Sequence, residues 1–293
     1  MHKAGFVNII GSPNVGKSTL MNKLLGEKLS IMTEKPQTTR HRIKGIINGE
    51  DYQIILSDTP GILEKPKYKL HEAMLKFVEE ALQDADVIIF VTDPVDSKSQ
   101  NKPYLEKIKS LNVPIILVIN KIDTVDQAHV HSLIELWKNI FPNSPIIAAS
   151  AKYNFNLDRL KAEIIERLPE NPPFFDKDML TDRPIRFFVA ELIREKIFEY
   201  YKQEIPYSVE VVVDEFKEYP DIVKIYAIIY VARDSQKPIL IGKNGRALKH
   251  IGIEARKELE NFLGKKVYLN LFVKVDKNWR DIRGKLRKFG YDL

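Results

Sequence analysis

Short, almost wholly apolar runs alternate with helical patterns through the first 168 residues of the chain. The runs Phe6–Ile10, Ile43–Ile47, Tyr52–Ser57, Val87–Thr92, Ile115–Asn120 and Ile146–Ala149 are rich in β-branched residues. Strands covered on both faces of a parallel sheet have this character. Segments 18–25, 69–82, 127–140 and 157–168 carry apolar residues at helical spacing. The alternation predicts an open α/β domain with a mostly parallel sheet and helices on both faces, its ligand at the carboxyl ends of the strands. No apolar run approaches the roughly 18 residues of a membrane span.

Proline then breaks the pattern. Pro169-Glu170-Asn171-Pro172-Pro173-Phe174-Phe175, followed by Pro184, blocks regular structure and reads as a linker. The expected division is 1–170, a linker over 171–184, and a second domain over 185–293. In that domain a helix over 186–204 buries Val189, Leu192, Ile193, Ile197, Tyr200 and Tyr201 and ends at Pro206. Strands over 209–213 and 223–231, a glycine loop, a helix over 247–263 and a strand over 267–275 follow. The order α–β–β–α–β is that of a small α+β domain.

Composition changes this picture in two ways. The chain has no cysteine, which excludes disulfides and thiolate–metal sites and fits a reducing compartment. The amino terminus enters a strand at once, so no signal peptide is expected. The net charge of +6 is unevenly placed: residues 233–293 hold 16 Lys and Arg against 7 Asp and Glu. A basic carboxyl third on a slightly acidic body suggests an anionic partner, with a solvated basic surface as the alternative.

The first apolar run leads into Gly11-Ser12-Pro13-Asn14-Val15-Gly16-Lys17-Ser18-Thr19, a complete phosphate-binding loop between strand and helix. Its glycines let backbone N–H groups converge on phosphate oxygens at a helix N-terminus. Lys17 would reach the outer phosphates and the Ser18 hydroxyl a magnesium ion. Asp58-Thr59-Pro60-Gly61 ends the third run; Asp58 can hold magnesium through a water, and the Gly61 N–H can approach a terminal phosphate. Asn120-Lys121-Ile122-Asp123 closes a later run. The Asp123 carboxylate can accept two hydrogen bonds from guanine, whereas adenine would leave it unpaired. Ser150-Ala151-Lys152 has the position of a loop that steadies the base. Together these segments resemble the GTPase class of phosphate-loop proteins. By that resemblance Thr39, in Gln37-Thr38-Thr39-Arg40, completes the magnesium shell, with Thr38 as the competing choice. Asn14 resembles an asparagine that coordinates potassium in cation-stimulated relatives, and it can instead only shape the loop. Lys17, Thr39 and Gly61 are the expected catalytic set. The residue after Gly61 is Ile62, where many GTPases hold a water-orienting glutamine. Intrinsic hydrolysis is therefore expected to be slow and to depend on a partner, a potassium ion or a reorganised switch.

Near the carboxyl end, Ile241-Gly242-Lys243-Asn244-Gly245-Arg246 opens a helix, with Lys249 one turn further on. A Gly-x-x-Gly turn lets a nucleic-acid backbone pack closely, as in KH domains that clamp about four nucleotides. Ile241, Leu248, Ile251 and Ile253 are candidates for an apolar base groove, some of them necessarily core. The tail around Trp279 can add cations and a stacking ring, or pack on the domain.

A phosphate-loop GTPase domain with these motifs, joined to a type II KH domain, resembles the bacterial Era family over essentially the whole chain. The resemblance implies a GTPase using GTP and Mg²⁺ that assists maturation of the small ribosomal subunit and binds single-stranded RNA near the 3′ end of its rRNA. It also implies a monomer in the cytoplasm, with peripheral contact at the inner face of the cell membrane and a link to growth control. A division-linked regulatory GTPase that uses its KH domain for localisation is the alternative.

Overall fold

β-branched runs form strands and the amphipathic stretches between them form helices. The first half gives β1 (Lys3–Gly11), α1 (Lys17–Leu25), β2 (Ile43–Asn48), β3 (Tyr52–Asp58), α2 (Lys69–Gln83), β4 (Val87–Thr92), α3 (Lys102–Lys109), β5 (Ile115–Ile119), α4 (Gln127–Ile140), β6 (Ile146–Ala148) and α5 (Leu157–Arg167). The computed structural model describes residues 1–63, 65–95 and 102–291. By packing, Met1–Pro66 and Met74–Asp182 form one unit, and Lys67–Ala73 with Arg183–Leu293 form the other.

The six strands of the first unit lie in the order β2-β3-β1-β4-β5-β6. Only β2 is antiparallel to its neighbour. All six residues of β4 are buried, which explains a run without alternation: helices cover both faces. One face packs Ile10, Phe90, Trp137 and Phe141 into a cluster, with Phe90 5.7 Å from Trp137 between ring centroids. α3 was not foreseen, because its sequence is short and mostly charged or polar.

The proline-rich stretch forms no regular element, as its composition implies, yet it does not hang free. Residues 171–182 group with the first unit. The fully buried Gln53 of β3 donates to Phe175 O and accepts from the N–H groups of Phe174 and Phe175. Its amide also donates to Asn48 Oδ1. Further along, the Ile46 N–H bonds to Leu180 O at 2.8 Å and Thr181 Oγ1 to Lys44 O at 2.6 Å. The stretch is a strap on the β2–β3 hairpin.

The second unit contains α6 (Ile185–Tyr200), α7 (Ile205–Ser208), β7 (Val209–Glu218), β8 (Ile222–Val231), α8 (Gln236–Ile241), α9 (Arg246–Leu263), β9 (Lys266–Val275) and α10 (Arg283–Lys288). Its sheet has the order β7-β8-β9, with β7/β8 antiparallel and β8/β9 parallel. Val189, Ile193 and Ile197 of α6 and Ile251, Ala255 and Leu259 of α9 pack on alternate residues of β8. α6 ends four residues before the expected Glu204, and Tyr200 is exposed rather than core. Tyr201 instead turns inward and donates to Leu240 O at 2.5 Å; burial pushes its phenol up to about 12. The tail is core as well: Trp279 is buried and donates from its indole to Ser208 O at 3.0 Å, which decides between packing and stacking. Nearby, burial alone would depress the Arg194 guanidinium, but its pairing with Glu191, with Glu210 and Tyr291 adjacent, raises it above the usual value. Among the described residues, no helix is long and apolar enough to cross a membrane.

Candidate functional site

The carboxyl ends of β1, β3 and β5 place three loops around one cleft of about 580 Å³. The loop after β1 bends sharply: Gly16 has φ +93°, and a Cβ there would sit 2.3 Å from the Asn120 amide nitrogen. Only glycine satisfies both the left-handed backbone and that approach. Lys17 Nζ lies across the loop, donating to Gly11 O at 3.0 Å and Ser12 O at 2.7 Å. Pro13, Asn14, Gly16, Lys17, Ser18 and Thr19 line the cleft beside Gly61 and the segment 31–39.

Three predicted metal-site residues meet at its base. Ser18 Oγ lies 2.6 Å from Asp58 Oδ2 and 2.9 Å from Thr39 Oγ1, and Thr39 Oγ1 is 3.3 Å from the same carboxylate oxygen. Thr38 turns elsewhere, to Thr33 Oγ1 and Lys35 O, so it is Thr39 that joins the cluster. Asp58 is fully buried, and its Oδ1 has no hydrogen-bond partner. Burial raises its carboxyl above the usual value, opposed by the Lys17 charge and the Ser18 and Thr39 hydroxyls. An orphaned buried carboxylate oxygen beside two hydroxyls fits a hard divalent cation with oxygen ligands.

The guanine segment is tied to the phosphate loop by side chains. The Asn120 amide donates to Val15 O at 2.9 Å and accepts from the Ala151 N–H at 3.0 Å, so it ties the ends of β1, β5 and β6 together. Lys121, in the left-handed region at φ 59°, reaches Asn14 O and the Asp93 carboxylate. Asp123 is exposed and accepts from Ser150 Oγ at 2.5 Å. Lys152 lies over the exposed Tyr153 ring. Asn14 donates from its side chain to Glu34 O, linking the loop to the segment before Thr39.

Two predicted nucleotide contacts point away from the cleft. Thr59 Oγ1 bonds to Ile9 O. Ile62 is buried in the cluster with Ile10, Val78 and Leu82, and only its N–H faces the phosphate loop, on Gly11 O at 3.2 Å. Pro60 is likewise buried. Sequence reasoning missed Asp93 and also Arg42. The latter, three residues past Thr39, forms a two-pronged pair with Asp84 and bonds to Asn8 and Ser57. The signal, an arginine in the basic run Arg40-His41-Arg42 just before a strand, is too common to be read without the fold.

In the second unit, Gly242 (φ 72°) follows α8, and a Cβ there would meet the Ala247 Cβ at 2.6 Å. Lys243, Asn244, Arg246 and Lys249 surround this turn, while Gly245 caps α9 in the left-handed region. Between α9 and β9 runs a groove of about 430 Å³ with Gly245, Leu248, Lys249 and Ile253 on its helix side. Of the four apolar candidates, Leu248 and Ile253 line it, whereas Ile251 is core and Ile241 packs against core.

Fold and site together define a phosphate-loop GTPase that carries a KH domain. Residues 6–121 match the family of 50S ribosome-binding GTPases and residues 204–280 the KH domain family. GTPase Era of Caldanaerobacter subterraneus subsp. tengcongensis is 46% identical over 100% of this chain and 99% of its own. GTPase Era of Alkaliphilus oremlandii is 47% identical over 99% of each. Among solved structures, an Era in complex with MgGDPNP and nucleotides 1506–1542 of 16S ribosomal RNA is 43% identical with a TM-score of 0.96, all of both chains being covered. A single-residue variant of Aquifex aeolicus Era bound to GDP·AlF4⁻ matches at 43% and 0.95, over 99% of this chain and 100% of that one. The chain belongs to the Era family of GTPases, and its reaction is GTP hydrolysis.

Proposed function

We propose that this chain binds the 3′ end region of small-subunit rRNA and assists maturation of the small ribosomal subunit, with GTP controlling its hold on the RNA. The observation that carries the reading is one chain with a complete guanine-nucleotide cleft and a basic Gly-x-x-Gly turn beside an apolar groove. Full-length similarity to an Era bound to 16S rRNA supports it.

Gly11 to Thr19 would cradle the phosphates, with Lys17 on the outer pair. Ser18, Thr39 and Asp58 would hold Mg²⁺, which when bound neutralises charge developing between the outer phosphates. Gly61 would give its N–H to the terminal phosphate, while Asn120, Lys121, Asp123 and Ser150-Ala151-Lys152 frame the base. With Ile62 turned into the core, its side chain does not enter the cleft to orient water. Asn14 would offer its side-chain oxygen to a potassium ion, its amide nitrogen being held by the Glu34 carbonyl. In the second domain, Lys243, Arg246 and Lys249 would meet RNA phosphates around Gly242 and Gly245. The domain division at 170 and 184 belongs to this reading, as do a monomeric state and a cytoplasmic site of action. The basic carboxyl surface would also meet anionic headgroups, so co-sedimentation with anionic vesicles checks peripheral membrane contact.

The deciding experiment measures GTP turnover with and without an oligonucleotide from the 3′ end of small-subunit rRNA, in sodium and in potassium buffer. Slow turnover in sodium without RNA, rising at least roughly tenfold with RNA and potassium together, is expected. Fast turnover in sodium alone would count against it, and a Lys17→Ala chain should be inactive throughout.

A further inference from the structure

The KH sheet has two faces, and the helices cover only one. Val223, Ile225, Ala227 and Ile229 of β8 point to α6 and α9, so Lys224, Tyr226, Ile228 and Tyr230 point the other way. The register sets Lys224 beside Tyr268, Tyr226 beside Asn270, and Ile228 beside Phe272. At one end the tail closes this outer face: Phe289 packs on Tyr230 at 5.2 Å, and Ile228 is buried. The other end is open. Tyr268 and Phe272 are 46% and 48% exposed, and Tyr226 lies 5.9 Å from Tyr268 between centroids.

Three rings reaching solvent on one face are more than a folded sheet needs, and cations surround them. Lys224, Lys266 and Lys274 are exposed on the same face, and none pairs with a carboxylate among the described residues. Lys224 lies over the Tyr219 ring instead. Glu215, which the register sets beside Tyr226, is held by Lys217. Aromatic rings on two neighbouring strands of one face, Tyr226 on β8 with Tyr268 and Phe272 on β9, set among lysines, suit bases that stack while their phosphates meet the cations. Four-stranded RNA-binding sheets use aromatics in this way for two or three bases. An apolar protein surface would find three uncompensated lysines around its contact, which disfavours it.

The face is also continuous with the groove. β9 ends the sheet order, and its Tyr268 lines the groove between α9 and β9 while sharing the outer face with Tyr226. A strand leaving the groove across the free edge of β9 meets this ring first.

We propose that the outer face of the KH sheet is a second single-stranded RNA platform, on which Tyr226, Tyr268 and Phe272 stack nucleotides flanking those held in the groove. The proposal rests on the groove binding RNA, and the test separates the two. The full chain is titrated with a four-nucleotide RNA from the 3′ end of small-subunit rRNA, and with versions extended by four nucleotides at the 5′ or the 3′ side. One extension should bind about tenfold tighter than the short RNA. A Tyr226→Ala/Phe272→Ala chain, with an unchanged melting temperature, should keep the short-RNA affinity and lose most of that gain. A Lys224→Ala/Lys274→Ala chain should flatten the salt dependence for the extended RNA by about 0.7 in log–log slope for each lost contact. 2-Aminopurine in the extension should be quenched by the parent and not by the aromatic double variant. No gain from either extension, or parent-like binding of the extended RNA by that variant, overturns the platform and leaves a protein as the occupant. Undiminished short-RNA binding by a Lys243→Asp/Asn244→Asp chain would instead remove RNA from the groove.

Discussion

Ile62 shows how one side chain sets the chemistry by leaving it. Its burial among Ile10, Val78 and Leu82 means that a longer polar group there would have to bury its amide or break the packing. Ile62→Gln is therefore expected to leave hydrolysis in sodium buffer within about twofold of the parent, in a single-turnover assay. It should also lower stability by roughly 1–3 kcal/mol, because an unpartnered polar group replaces a core methyl cluster. A tenfold rise in rate would show that the side chain reaches the water. At this scale the sequence was informative where chemistry is carried by neighbours in the chain: Gly16, Lys17 and Ser18 sit where their motif requires. The choice between Thr38 and Thr39 was not legible, since both hydroxyls are equivalent until the loop folds and one meets Asp58. Nor was the inward turn of Thr59, which needs Ile9 of the adjacent strand as its acceptor.

Elements were legible where apolar periodicity was strong. β4 and α4 appear at the limits their patterns suggest, whereas α3, α8 and α10 are too short or too charged to stand out. The strap is the instructive miss. Proline removes donors and so predicts irregular chain, but it says nothing about where the remaining donors go. Those of Phe174 and Phe175 go to Gln53, more than a hundred residues away. Gln53→Leu removes all four bonds of that amide, whose partners are half-buried, at a cost of about 2–4 kcal/mol. Chemical denaturation should show the loss, and amide exchange at Phe174 and Phe175 should speed up. Unchanged exchange would mean that the strap is held by its other contacts. The tail has a similar lesson: Trp279 read equally as core or as a stacking ring, until Ser208 supplied an acceptor.

For the whole molecule, nucleotide and RNA can influence each other only through unequal affinity for shared states. The dependence must then be reciprocal. If a non-hydrolysable GTP analogue tightens RNA binding relative to GDP, the RNA must tighten analogue binding by the same factor. Isothermal titration in both directions checks it, and equal RNA affinity in the two nucleotide states would remove the coupling while leaving both sites intact. The strap has a separate consequence for how copies of the chain meet. β2 ends its sheet, and a terminal strand offers unpaired N–H and C=O groups to any other strand that arrives. Leu180 O and the Thr181 hydroxyl already occupy the Ile46 N–H and Lys44 O on that side. The proline-rich segment thus acts as a guard against strand addition between molecules. Sedimentation equilibrium should find the parent chain monomeric and the Gln53→Leu chain self-associating with concentration, through a β2 margin that the loosened strap no longer shields.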